Sequence, residues 1–142
     1  MSANSTGSRK PHDGLTLLID RCLDHRLAGE FRKHPDVTAM SLADVYGGSG
    51  SEAVADETFL QDAGNRGWVV LTQNFRMWRV PAERQAILSS NTRVFSLGKA
   101  DLPLIAKGLV FGRYFGSIRK RGRREDPCFW RLHLSHVNKD LR

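Results

Sequence analysis

Short, mostly apolar runs recur along this chain, each followed by a stretch with helical periodicity, and this alternation restricts the fold more than any other feature. Leu15–Ile19 lies between Gly14 and Asp20, and Trp68–Leu71 ends at Thr72. Both have the length and composition of strands buried on both faces. Val94–Leu97 reads as a further short strand and Val37–Leu42 as a weaker one. Between the first two candidates Leu23, Leu27 and Phe31 recur at helical spacing, and His34-Pro35-Asp36 ends that helix. Gly47-Gly48-Ser49-Gly50-Ser51 reads as a flexible loop. Asp56 or its neighbour opens a helix carrying Phe59, Leu60 and Ala63, closed by Gly67. Pro81 suits the first turn of the next helix, with Glu83, Ile87 and Leu88 following. Asp101 is placed to cap one long helix with Leu104, Ile105, Leu109 and Phe115, interrupted by Gly108, Gly112 and Gly116. That helix decays into a basic turn, Arg119–Arg124, and Phe129–Leu134 reads as a late edge strand. Strands alternating with helices predict an α/β three-layer sandwich around a central, mostly parallel sheet.

The chain has 142 residues, enough for one domain with a real core. Residues 1–14 read as a flexible N-terminal tail and residues 15–142 as a single domain. The tail lacks the apolar centre of a signal peptide, and no run is long enough to span a bilayer, so the expected compartment is the cytoplasm, with no membrane partner. Cys22 and Cys128 form no C-x-x-C pair and are expected as free thiols. Lysine and arginine total 22 against 15 acids, a net charge of +7 that favours polyanionic partners.

In α/β sheets of this kind, sites form at the carboxyl ends of the strands. Asp20 follows the first strand directly, so it either faces that edge or caps the next helix. Asp44 follows the second strand. Asp56 and Glu57 open a helix, where the helix dipole also favours acids. Carboxylates gathered at one edge repel each other, and a hard divalent cation with oxygen ligands relieves that repulsion. Such an ion polarises a phosphodiester and activates water.

The run Asp56-Glu57-Thr58-Phe59-Leu60, continuing to Gly64-Asn65-Arg66-Gly67-Trp68-Val69-Val70-Leu71-Thr72, resembles the middle of PIN-like toxin domains. Leu17-Leu18-Ile19-Asp20-Arg21 is similar to their first strand and first acid, and Arg79-Val80-Pro81-Ala82-Glu83-Arg84 to a stretch found in one branch. The resemblance covers Leu15 to Leu97, with a looser match through Leu134. It implies a PIN-like fold and a Mg²⁺- or Mn²⁺-dependent endoribonuclease of the VapC-like toxin kind. Asp20 then matches the first acid, Asp56 with Glu57 the helix-start acid, and Asp44 a less constant acidic position. A cognate antitoxin protein is the implied partner, RNA the implied substrate, and homodimers are common in the class.

One position departs from the pattern. Where the family has an aspartate two residues after Thr72, this chain has Asn74. An amide oxygen still coordinates a hard cation but supplies no charge. The departure is open to three readings: an adapted metal site, an inactive domain, or a replacement that silences a toxic enzyme. It keeps a non-enzymatic RNA-binding module as the rival function, with a DNA nuclease as a third. Arg76, Trp78 and Arg79 follow Asn74 as a basic and aromatic cluster suited to a single strand, or else as core residues with solvated arginines. Arg119, Arg121 and Arg123 are further candidates for RNA phosphate if their turn folds toward the acids, and a solvated turn otherwise.

The cationic surplus generates a first prediction. Single-stranded RNA binding weakens with salt, with a log–log slope of about −0.7 per phosphate neutralised. Arg76→Ala and Arg79→Ala each flatten that slope by about this amount in fluorescence-anisotropy titrations. Binding insensitive to salt, or a slope untouched by both changes, removes this basic cluster from the interface.

Overall fold

A computed structural model describes residues 14–142; the tail expected over residues 1–14 therefore lies, apart from Gly14, outside the described residues. In chain order the elements are β1 (Leu15–Ile19), α1 (Arg26–Phe31), β2 (Val37–Ser41), α2 (Leu42–Tyr46), α3 (Gly48–Ala53), α4 (Asp56–Asn65) and β3 (Val69–Thr72). A 3₁₀ turn (Phe75–Arg79), α5 (Pro81–Ser90), β4 (Arg93–Leu97), α6 (Leu104–Arg113), α7 (Phe115–Gly122), β5 (Cys128–Leu132) and β6 (Val137–Leu141) complete them.

The strands form one six-stranded sheet in the order β2-β1-β3-β4-β5-β6. The first five are parallel, and β6 runs antiparallel to β5. Leu17 sits beside Ala39 of β2 on one side and Val69 of β3 on the other. Alternation along β1 sends Leu15, Leu17 and Ile19 to one face, against Leu27, Phe31, Val110, Phe111 and Ile118 of α1, α6 and α7. Leu18 goes to the other face, with Phe59, Leu60, Ala63 and Ile87 of α4 and α5. Helices on both faces make the expected α/β three-layer sandwich. The chain leaves β1 for β2 on one side and then returns to place β3 on the other. The strand order therefore reverses at the gap between β1 and β3, where doubly wound sheets open a crevice at their carboxyl edge.

Four local expectations are corrected. The glycine-rich segment after Tyr46 is not a loop but contains helix α3. Gly47, at φ +83°, turns the chain, and Ser51 N–H donates to Gly47 O at 2.8 Å. The long helix expected from Asp101 starts at Leu104 with Pro103 at its N-cap. It breaks at Tyr114 (φ −101°, ψ 9°) rather than at a glycine, giving α6 and α7. The basic run Arg119–Arg124 is mostly the last turns of α7. Finally, β5 is an interior strand. Its outer neighbour β6 reads Val-Asn-Lys-Asp-Leu, too polar to announce a strand, and it is held by backbone pairing and a 2.8 Å Arg131–Asp140 ion pair.

The α7 arginines lie at the amino edge of the sheet, a strand length of roughly 16 Å from the carboxyl edge. The turn therefore does not fold toward the acids, the condition on which these arginines are candidates for RNA phosphate beside them. Arg119 is paired with Asp36, just ahead of β2, and lies over the Phe115 ring. Arg121 is buried, and its guanidinium donates to the carbonyls of Arg142 (3.0 Å), Asp126 (3.2 Å) and Pro127 (2.9 Å). Arg123 is exposed on that same edge. Arg121 thus ties α7 to the entry of β5 and the end of β6. Arg121→Ala is expected to lower stability by about 3 kcal/mol in urea unfolding, because it strands buried carbonyls. The salt slope of RNA binding stays as it was. A neutral effect on stability would show that the carbonyls find other donors.

Candidate functional site

Asp20 leaves β1 at the reversal point and is buried, only 4% exposed. Its backbone N–H donates to Leu71 O of β3 at 2.9 Å, continuing the parallel ladder by one step beyond β1. A buried carboxylate requires donors. Oδ1 accepts from Arg21 N–H at 2.7 Å, while Oδ2 accepts from the Thr72 hydroxyl at 2.8 Å and the Cys22 thiol at 3.4 Å. Thr72 Oγ1 in turn accepts from Asn74 N–H at 3.0 Å, which starts the 3₁₀ turn. Burial pushes the Asp20 carboxyl above its ordinary range; the Thr72 and Cys22 bonds oppose this, and the charge of Asp56 adds to it.

Asp56 comes to this neighbourhood from the start of α4. Arg21 bridges to it, Nη1 to Oδ1 at 3.1 Å. A carboxyl not proposed from the sequence, Glu83 in the first turn of α5, completes the group. Its Oε1 is buried without a hydrogen-bond partner. Burial, then the charges of Asp56, Glu57 and Asp20, push Glu83 up to about 7. Helix α5 packs along α4, which is why acids from both first turns meet. Glu57 acts on Glu83, whereas Asp56 acts on Asp20 as well.

Asp44 is placed elsewhere. It forms a capping box with Ser41, accepting from Ser41 N–H at 2.8 Å, and its Oδ2 also accepts from Arg32 at 2.9 Å. These bonds, led by the Ser41 amide, hold its carboxyl below the ordinary range. The structure therefore does not bring Asp44 to Asp20: its carboxylate is spent on closing the entry of α2.

A groove of about 720 Å³ opens over Asp20 and is also lined by Arg21, Cys22, His25, Ser41 and Lys107. Lys107 reaches in from α6 and donates to Gln73 Oε1 at 2.6 Å. Arg76 and Arg79 are exposed on the turn that leaves Asn74 and make no ion pair among the described residues. The neighbouring Met77 is fully buried, and Trp78 stacks on Phe129 at 5.9 Å. The core reading thus holds for Met77 and largely for Trp78.

The carboxylates of Asp20, Asp56 and Glu83 are hard oxygen donors, the Oε1 of Glu83 without a hydrogen-bond partner, and this chemistry fits a hard divalent cation. Among the described residues, no three His, Cys, Asp or Glu side chains stand close enough together to hold an ion as they are. Arg21 occupies the space beside Asp56 instead.

The family model described as "PIN like domain" matches residues 15–99, which is β1 through β4 and the residues just after it. The chain belongs to the PIN-like domain family. The PIN-like segment contains Asp20, Asp56, Glu57, Asn74 and Glu83, while Lys107 lies beyond it. A Mycobacterium tuberculosis protein named "Putative ribonuclease VapC45" is 22% identical over 124 residues, covering 85% of this chain and 88% of its own length. No solved structure matches the chain.

Sequence reasoning missed Glu83, Arg21, Thr72 and Lys107 as residues of this candidate site. Glu83 was visible as a first-turn acid two residues after Pro81, and Thr72 as a strand end. Lys107 had no local signal.

The Glu83 environment gives a pH prediction for the metal-free protein. Its carboxyl is raised from 4.5 in the unfolded chain to about 7 in the fold. Between these values the folded state binds more protons, so stability falls as pH rises and levels off above about 7. Glu83→Gln should flatten that falling limb and leave the variant more stable than the parent at pH 8 in thermal unfolding. Parallel pH curves for the two proteins would place Glu83 in an ordinary solvated setting.

Proposed function

We propose that this PIN-like chain is a metal-dependent endoribonuclease and the toxin of a toxin–antitoxin pair, working in the cytoplasm. The observation that carries the reading is the buried Asp20 at the strand-order reversal, within electrostatic reach of Asp56 and Glu83. Family membership and the likeness to a protein named as a ribonuclease support it. A bound Mg²⁺ or Mn²⁺ would supply the Lewis acidity that polarises a phosphodiester and activates water.

The chain's own residues have separable tasks. Asp20, Asp56 and Glu83 would hold the ion, with Glu57 adding negative potential beside Glu83. Thr72 fixes the Asp20 carboxylate by its 2.8 Å bond. Asn74 offers a neutral oxygen, so the site carries one charge fewer than an aspartate there would give. Lys107, in the groove, and Arg76 and Arg79, on the adjoining turn, would bind RNA phosphates. An antitoxin protein would restrain this activity, and a homodimer is the proposed assembly. The rival reading, an RNA-binding module without chemistry, rests on Asn74 and on the dispersed acids.

Cleavage of RNA and DNA with Mg²⁺ or Mn²⁺ tests the proposal. RNA is cut, chelation stops the reaction, and Asp20→Asn lowers the rate by more than about 100-fold, beyond the roughly 10- to 100-fold that groups supporting a metal ligand cost. Asn74→Asp tightens Mn²⁺ binding in calorimetry and raises cleavage, since a further anionic oxygen attracts the dication. RNA binding without cleavage in both the parent and Asn74→Asp establishes the rival. Unchanged metal affinity in Asn74→Asp takes that position out of the site.

A further inference from the structure

We infer that Arg21 is a tethered counter-cation of the acid site. It holds Asp56 and helix α3 in place while no divalent ion is bound, and it gives way when one binds. The inference rests on the reading of Asp20, Asp56 and Glu83 as donors to a hard cation.

One guanidinium joins three parts of the fold. Nη1 donates to Asp56 Oδ1 at 3.1 Å, at the start of α4. Nη2 donates to Ser51 O at 3.0 Å and to Val54 O at 2.6 Å, at the end of α3. The side chain also lies 5.9 Å over the Phe59 ring. The residue itself follows Asp20 directly, and its backbone N–H donates to Asp20 Oδ1 at 2.7 Å. The two acids and α3 are thus linked through a single residue.

Helix α3 depends on that link. It reads Gly48-Ser49-Gly50-Ser51-Glu52-Ala53 and buries none of its residues. Glycine and serine are poor helix formers, and a helix this short does not persist without tertiary support. The last carbonyls of a helix have no partner within it, and a cation placed there satisfies them and complements the dipole. Arg21 does both.

The same guanidinium offsets the repulsion of Asp56 with Asp20 and Glu83. A dication among those oxygens offsets it more strongly, having twice the charge and a shorter approach. Two cations against Asp56 repel each other, so binding of the ion expels Arg21. The end of α3 then loses its donor, and residues 48–54 loosen beside the groove that holds Asp20.

The test uses the full chain, with Mn²⁺ titrated calorimetrically into the parent, Arg21→Ala and Arg21→Lys, and hydrogen exchange followed over residues 48–54. Arg21→Ala binds Mn²⁺ roughly two- to fivefold more tightly, the scale of one partly exposed ion pair. Mn²⁺ speeds exchange over residues 48–54 in the parent, whereas in metal-free Arg21→Ala that exchange is already fast. Arg21→Lys keeps the charge but not the fork that reaches carboxylate and carbonyls together. It retains the parent's Mn²⁺ affinity and loses the protection. Unchanged or weaker Mn²⁺ binding in Arg21→Ala leaves the metal reading standing and overturns the inference. So does unchanged protection in both variants. Absence of Mn²⁺ binding in parent and Arg21→Ala alike overturns the metal reading, and the exchange of one cation for the other falls with it.

Discussion

The hydroxyl of Thr72 donates to Asp20 across the gap between β1 and β3, and the rest of the site depends on that bond. A carboxylate buried at a sheet edge is costly unless donors meet it. Arg21 N–H and the Cys22 thiol follow it in the chain, and Thr72 comes from the strand that parallel pairing sets beside it, in register through Ile19 and Leu71. The same Thr72 oxygen accepts from Asn74 N–H and so fixes where the chain turns away with Arg76 and Arg79. The strand order thus sets the acid and the basic turn side by side at the point where the winding of the sheet reverses.

Burial and mutual repulsion act on the acids in the same direction. Asp20 and Glu83 are both raised, chiefly by desolvation, with neighbouring carboxylates adding to it. The fold tolerates this because Arg21 stands against Asp56 and because a raised Glu83 remains partly protonated near neutrality. Such a site is unfavourable when empty of counter-charge and favours whatever cation reaches it. That property suits phosphodiester chemistry, in which a metal ion and cationic side chains meet an anionic backbone.

The basic surplus is less a single surface than its size implies. Much of it is absorbed by pairing: Arg26 with Asp24, Arg32 with Asp44, Arg119 with Asp36, Arg124 with Asp126 and Arg131 with Asp140. Arg121 serves backbone carbonyls at the amino edge. Toward the acid edge, Lys107 stands in the groove and Arg76 and Arg79 on the turn beside it, none of the three in an ion pair among the described residues.

The sequence by itself determined the layered α/β plan, because strands buried on both faces must be apolar throughout, and Leu15–Ile19, Val69–Leu71 and Val94–Leu97 are largely so. It also determined Asp20 as the residue leaving β1 and Asp56 and Glu57 as the start of α4, since strand ends and helix starts are local events with local signals. Only the tertiary structure decided the rest. Helix α3 forms from a glycine–serine segment because a side chain from after β1 caps it. β6 exists because β5 offers it a backbone ladder. Asp44 turns to Ser41 and Arg32, the α7 arginines fall at the opposite edge, and Glu83 and Lys107 arrive from helices far along the chain. These outcomes depend on which elements pack side by side, and partners brought together by packing leave no periodic trace in the residues that make them.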